Sequence, residues 1–328
     1  MLNCNKNIFF SFILLFSFNI THNLAQPAPA EEENIPFLVT FGNESESSWG
    51  DDDFCQIFFC IIPFDRVEPV YIRVFDPGVG GEFDEAKGAF NTTTRFSVYG
   101  GRKCWSDDDA KGINPVGNYK SGIEFASKEF GNEPEYDGKW YTFGPINPFE
   151  GELIEKFGGR IIKIVAEGTK GDDGNLYQYF LSERPDKNQE IEGGNLFTYE
   201  YSFRLWDEKE RVSQIYPYVD EKTISVKISN FDWDNDGIIK VISVAKNGIA
   251  CKVSGEEEWK QANFNIVEKE KNTSLEIQFI KSQTANITKN NVCVIVQNQY
   301  GNSLPFYVIP IGGVPVYNPD IIMREIEY

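Results

Sequence analysis

No part of this chain carries the 3.6-residue apolar period of a helix three turns long. Its apolar residues come instead in short bursts, at Phe37–Phe41, Val70–Phe75, 95–99, 161–165, 176–181 and 197–205, bounded by Gly, Pro, Asn and Asp. The bursts are rich in β-branched and aromatic side chains, which is the pattern of strands separated by turns. Aromatic content of 15% and 28 glycines point the same way, since flat rings suit a pleated, half-buried surface and glycine serves the turns. The expectation is an all-β fold.

A boundary is expected at 206–213, where Asp207-Glu208-Lys209-Glu210-Arg211 interrupts the pattern. Beyond it the alternation is cleaner: Ile224, Val226 and Ile228 share one face, and Leu275, Ile277 and Phe279 another, with Glu276 and Gln278 opposite. Period two means one dry face and one wet face. Residues 207–317 therefore read as an immunoglobulin-like β-sandwich of at least five strands, followed by a tail, 318–328. Residues 35–206 read as a second, N-terminal β-sandwich. Its middle, 106–159, is dense in Gly, Pro and aromatics without alternation and is expected to form long loops, where binding sites tend to be built. Residues 26–34, with prolines and Glu31-Glu32-Glu33, have linker composition.

Residues 1–25 carry Lys6 and then an apolar run that breaks at Asn19, shorter than the roughly 20 residues of a membrane span. They read as a signal peptide cut near Ala25 or Ala30, with no membrane insertion afterwards and an exported product: periplasmic, cell-surface or extracellular. Cleavage moves the formal charge from -19 to -20, because Lys6 is the only charged residue removed. No nucleic-acid partner is expected for such a chain, since it lacks the Lys and Arg clusters that displace counterions. Cleavage also removes His22, the only histidine. Imidazole-activated serine or cysteine chemistry and His-ligated zinc go with it. Carboxylate-only chemistry survives, notably glycoside hydrolysis.

Five cysteines follow the leader: Cys55, Cys60, Cys104, Cys251 and Cys293. Cys55 and Cys60 lie in one strand-like stretch, roughly 16 Å apart, too far to bridge, so only one of them can meet Cys104. Cys251 and Cys293 bracket C-terminal strands and are expected to pair as a disulfide, unless all five stay reduced as small core residues.

Asp232-Trp233-Asp234-Asn235-Asp236-Gly237 resembles the opening of the EF-hand and dockerin calcium loop, D-x-D-x-D-G. The resemblance implies calcium held by Asp232, Asp234, Asp236 and the carbonyl of Ile238. It covers six residues, and Ser243 stands where those loops have a bidentate Glu. The alternative is a plain hairpin turn at Asp236-Gly237. A second acidic stretch, 76–85, has a glycine-rich backbone with Asp76, Asp84 and Glu85 that could wrap an ion, but it meets no fixed ligand spacing and reads more simply as a mobile surface loop; Asp172-Asp173-Gly174 reads as a hairpin turn. Trp105, Trp140 and Tyr141, with Tyr119 and Tyr136, are candidates for an aromatic platform that stacks on sugars. Asn43, Asn91, Asn272 and Asn286 begin Asn-x-Ser/Thr triplets.

The leading expectation is an exported, non-catalytic binding or structural β-sandwich protein, with calcium as a candidate ligand and a protein or carbohydrate as its partner outside the cytoplasm. One rival is a carboxylate-based carbohydrate enzyme or carbohydrate-binding protein, with Glu124, Glu129 and Glu135 standing in for its acids. The other is a subunit of a surface assembly, joined through strand edges.

Overall fold

A computed structural model describes residues 27–51, 53–283 and 289–319. The expected signal peptide, His22, Asn286 and the end of the tail lie outside the described residues. The rest is antiparallel sheet joined by turns and short 3-10 segments. A long sheet has the order Trp259–Asn265, Ser225–Phe231, Asn291–Asn298, Glu200–Arg204, Phe37–Phe41, Gly174–Ser182, Val70–Phe75, Trp140–Ile146, and Pro27–Ala28 also pairs with Gly174–Ser182. A broad sheet has the order Phe306–Tyr307, Asn195–Thr198, Cys55–Pro63, Gly159–Lys170, Thr93–Gly100, Ile123–Phe130, with Glu152–Ile154 beside Gly159–Lys170. A small sheet is built from Val212–Ile215, Glu276–Lys281, Gly237–Ile242 and Ile249–Cys251.

Tyr201 and Phe203 show how these layers stack. Two residues apart, they point to the same face of one strand. Tyr201 meets Phe58 of the broad sheet at 5.7 Å and Phe203 meets Phe279 of the small sheet at 5.4 Å, both edge-on. Phe96 against Tyr177 extends the first contact and Trp233 against Phe279 the second. The molecule is thus a β-sandwich in which one face of the long sheet is covered by two smaller sheets. Each of these fully buried rings contributes about 2 to 3 kcal/mol by leaving water.

The long sheet runs straight through the expected boundary at 206/207. Glu200–Arg204 pairs with Asn291–Asn298 on one side, Glu200 opposite Ile295 and Arg204 opposite Asn291, and with Phe37–Phe41 on the other. The immunoglobulin pattern is recognisable in part: Val212–Ile215, Glu276–Lys281 and Gly237–Ile242 take the places of strands B, E and D, and Ser225–Phe231 and Asn291–Asn298 those of C and F. The place of strand G, however, is filled by Glu200–Arg204 from the other half.

Four further expectations change. The burst 197–205 is two strands in two sheets, because the chain turns a corner at Tyr199. The Thr198 hydroxyl, 2.7 Å from the carbonyl of Ile57 and 2.6 Å from that of Glu200, pins that corner. The turn at Asp172-Asp173-Gly174 likewise carries the chain from the broad sheet to the long one rather than closing a hairpin. Fully buried Asp173 brackets it by accepting from Asn91 N at 2.6 Å and Thr92 N at 3.1 Å. The stretch 106–159 contains three strands, of which Ile123–Phe130 and Trp140–Ile146 are sheet edges. Finally, the stretch read as a linker is packed: Ala28, Ala30 and Glu33 are buried, and Glu33 accepts from Ala30 N at 2.6 Å and Tyr201 OH at 3.0 Å.

The Cys251–Cys293 disulfide does not form, and no disulfide occurs among the described residues. The two residues belong to different sheets, Cys251 on the outermost strand of the small sheet and Cys293 inside the long one, where its thiol donates to Glu200 Oε1 at 3.1 Å.

Candidate functional site

The acidic motif at 232–237 joins Ser225–Phe231 of the long sheet to Gly237–Ile242 of the small sheet. It is therefore an arch over the edge of the sandwich rather than the hairpin its Asp-Gly suggests. Asp232, Asp234 and Asn235 have φ of 57, 51 and 55°, a left-handed conformation that Asp and Asn tolerate better than most residues. Trp233 anchors the arch in the core, fully buried, and Ser254 holds it by accepting from Trp233 N at 2.9 Å and from Asn235 N at 2.7 Å.

That anchoring leaves Asp232 and Asp234 on the wall of a cleft of 520 Å³. Glu256 joins them from the C-terminal half, Glu46, Trp49 and Glu85 come from the N-terminal half, and Lys289, Asn290 and Asn291 also line it. The two halves are tied here by a buried network. Arg204 forms an ion pair with Glu85 and donates from Nε to Asn291 Oδ1 at 2.8 Å, while Asn291 Nδ2 donates to Glu85 Oε2 at 3.0 Å and to the carbonyl of Trp49 at 2.9 Å. Ser47 Oγ, donating to Glu257 Oε1 at 3.3 Å, joins the two rims.

The cleft is electrostatically unbalanced. Burial pushes the Asp232 carboxyl up to about 7; the Glu257 N–H opposes this, and Asp234, Glu256 and Glu257 add repulsion. Burial likewise raises Asp234 to about 6, with Glu256 and Asp236 adding to it. Both carboxyls are in effect short of positive charge.

The calcium geometry implied by the sequence is not adopted by the whole motif. Asp232 Oδ1 accepts from Glu257 N at 2.6 Å, and Asp236 is engaged by Asn290 Nδ2 at 3.3 Å and Lys281 Nζ at 3.9 Å. Ile238 is paired with Ile280 in a regular ladder, so the chain straightens after Gly237 where a calcium loop would keep curling. Among the described residues no three acidic, thiol or imidazole side chains stand together as metal ligands.

Trp105, Trp140 and Tyr141 do not share a surface. Trp105 packs on Phe157 at 5.1 Å outside the broad sheet and donates from Nε1 to Tyr199 OH at 3.1 Å. Trp140 lies against Phe75 at 5.4 Å beneath Arg73, whereas Tyr141, one residue on and so on the opposite face, packs inward on Phe130 at 5.1 Å. The stand-in acids are also dispersed. Glu129 is paired with Arg95, Glu124 accepts from Tyr99 OH at 3.1 Å, and Glu135 sits in a turn. Glu124 and Glu129 lie on one strand roughly 16 Å apart, beyond the span of about 5 to 10 Å that glycoside hydrolysis uses. Sequence reasoning missed Glu46, Trp49 and Glu256 as cleft residues and placed Glu85 only in the acidic stretch 76–85. For the missed residues the acidic run Glu256-Glu257-Glu258 offered a local signal.

The chain matches no family model and no curated protein. Among solved structures it aligns loosely with the N-terminal CBM22-1-CBM22-2 tandem domain from Paenibacillus barcinonensis Xyn10C, at 10% identity over 77% of this chain and 76% of that one, with a TM-score of 0.19. Infectious bursal disease virus Gt strain aligns at 9% identity over 88% and 76%, with a TM-score of 0.18. The Macrobrachium rosenbergii nodavirus aligns at 7% over 90% and 98%, with a TM-score of 0.15. Superpositions this loose carry no information on what this chain binds.

Proposed function

We propose that this chain is an exported, non-catalytic binding protein whose acidic cleft takes a cationic group of a partner outside the cytoplasm, such as the lysine and arginine side chains of another protein. One observation carries the reading: Asp232, Asp234 and Glu256 from one half and Glu46 and Glu85 from the other line a single 520 Å³ cleft. The raised Asp232 and Asp234 support it, because a cation placed between them offsets both burial and mutual repulsion. The formal charge, -19 for the full chain and -20 without the expected leader, extends the attraction beyond the cleft and steers cationic partners toward it. The non-catalytic part rests on composition, the one histidine falling in the expected leader.

The test is titration with a lysine-rich peptide, followed by calorimetry at two salt concentrations. Binding should weaken with salt and fall at least tenfold in the Asp232→Asn/Asp234→Asn double variant. Affinity indifferent to both would sink the proposal. A carboxylate-based carbohydrate enzyme is the second reading, favoured by an Asp232 held near 7 in the same cleft as Trp49, as a general acid requires. Release of reducing sugar from a polysaccharide, abolished by Asp232→Asn, would select it instead.

A further inference from the structure

The acidic stretch 76–85 reads in the sequence as a mobile loop, yet Asp76 is fully buried and Asp84 is 5% exposed. Asp84 Oδ2 accepts from Gly80 N at 2.7 Å and its Oδ1 from Leu176 N at 2.6 Å, so the end of the stretch is clamped to the long sheet. The clamp also fixes the residues on either side of it. Glu85 lines the acidic cleft, whereas Phe83 lines a second recess, of 320 Å³, which the proposed function leaves unused.

This recess is built differently from the cleft. Phe37, Phe83, Leu176, Leu205 and Trp206 line it, the two leucines buried and the three rings half-buried. The rings are held in place by the protein itself. Phe83 packs on Phe37 at 5.2 Å and on Phe75 at 5.9 Å. Trp206 donates from Nε1 to the Asn34 carbonyl at 2.6 Å and carries the Arg211 guanidinium over its ring at 3.5 Å. Walls fixed in advance spare a ligand the cost of ordering them, and their exposed apolar surface is stabilised when a ligand takes it out of water. The volume lies at the lower end of the range of about 300 to 1,000 Å³ found for ligand pockets, which suits one large side chain.

The neighbourhood indicates what that side chain is attached to. Arg204 lines the recess, donates to Asn291 and pairs with Glu85, and both of those residues line the cleft. Lys289 lines both spaces. They are adjoining chambers with the Arg204–Glu85 pair as the partition. Phe83 and Glu85, one in each chamber, are two positions apart in the chain, so their Cα atoms are separated by no more than about 7 Å. Same-face side chains of an extended peptide repeat at nearly that distance, about 6.6 Å. The rim of the recess is acidic as well: Glu82 and Asp207 are exposed there, beside Glu208. An apolar group arriving on a negatively charged carrier is repelled, and one arriving on a positively charged carrier is drawn in.

We propose that the recess takes a bulky apolar side chain, aromatic or leucine-like, placed two residues from the lysine or arginine that enters the cleft. The proposal rests on the cleft being a site for a cationic partner and adds a second anchor to it. Charge brings lysine-rich segments to the cleft without distinguishing among them. The buried apolar anchor selects those that carry the right neighbour.

The experiment compares two peptides of equal length and charge, one repeating Lys-Gly-Phe and the other Lys-Gly-Gly, by calorimetry on the full chain. The phenylalanine peptide should bind at least tenfold more tightly. Phe83→Ala, in a turn outside every strand, should bind both peptides alike, and its retained affinity for the glycine peptide reports a folded cleft. Equal affinity of the two peptides for wild type, or a preference that survives Phe83→Ala, overturns the proposal. If equal binding still weakens with salt and with Asp232→Asn/Asp234→Asn, the cleft stands and only the second anchor falls; binding of neither peptide removes both. A dimer detected by light scattering and dispersed by Phe83→Ala would assign the recess to a second copy of this chain and overturn the proposal likewise.

Discussion

Glu33 makes the stability of this protein depend on pH in the direction opposite to that of a salt-bridged carboxylate. It sits in the 3-10 turn Glu31–Glu33, fully enclosed, with Oε2 accepting from Ala30 N and Tyr201 OH and Oε1 without a partner among the described residues. Burial raises its carboxyl from 4.5 to about 8. Between those values the folded chain holds a proton that the unfolded chain has released. Stability from this group is therefore complete below about pH 4.5, declines as pH rises, and is exhausted above about pH 8. Each unit in the window removes about 1.4 kcal/mol, on the order of 5 kcal/mol across it. Urea unfolding of wild type and Glu33→Gln at half-unit steps from pH 5 to 8.5 measures the difference directly. The amide keeps the shape and cannot ionise, so Glu33→Gln should gain on wild type by about 1.4 kcal/mol per unit and plateau near pH 8. Other buried acids slope in the same sense in both proteins and cancel in the comparison. Parallel profiles for the two proteins would refute the reasoning.

Three further outcomes are expected. Glu85→Gln or Arg204→Ala strands the other partner of a buried pair at the junction of the halves, and chemical denaturation should show a loss of about 3 kcal/mol. Trp233→Ala removes the anchor of the acidic arch, with a cost of about 3 to 5 kcal/mol in the same assay and a loss of peptide binding in the cleft. Alkylation in denaturant without reductant, read by intact mass, should label Cys55, Cys60, Cys104, Cys251 and Cys293 alike, because each is a thiol; fewer labels would reveal a bridge.

How far the sequence reveals these features depends on how local each one is. Leu275, Ile277 and Phe279 are all fully buried, as their alternation predicts, because one strand decides its own faces. Ile224 fails the same pattern and is 59% exposed, since its strand begins only at Ser225. The switch of sheets at Tyr199 is invisible in the chain because the alternation of apolar and polar residues from Phe197 to Leu205 continues across the corner without a break, and residues on both sides of it are buried. Edge strands such as Ile123–Phe130 were hidden for the opposite reason: with a partner on one side only and mixed exposure on both faces, they lose their alternation. The arch at 232–236 was legible as acidic, but its companions Glu46, Trp49 and Glu85 arrive through pairings distant in sequence. The single turn at Asp84 explains why 76–85 misread as mobile: two backbone N–H groups, invisible to composition, fix it in place.

The position of Glu200–Arg204 in the middle of the long sheet also governs the order in which the molecule can be assembled. As the chain emerges N-terminus first, Arg204 precedes its neighbour Asn291 by 87 residues. Throughout that interval the earlier strands present a bare row of amides and carbonyls, the kind of surface that recruits stray chains. Closure waits for Asn291–Asn298, so the last long strand to be made seals the first half and gives the second its foundation.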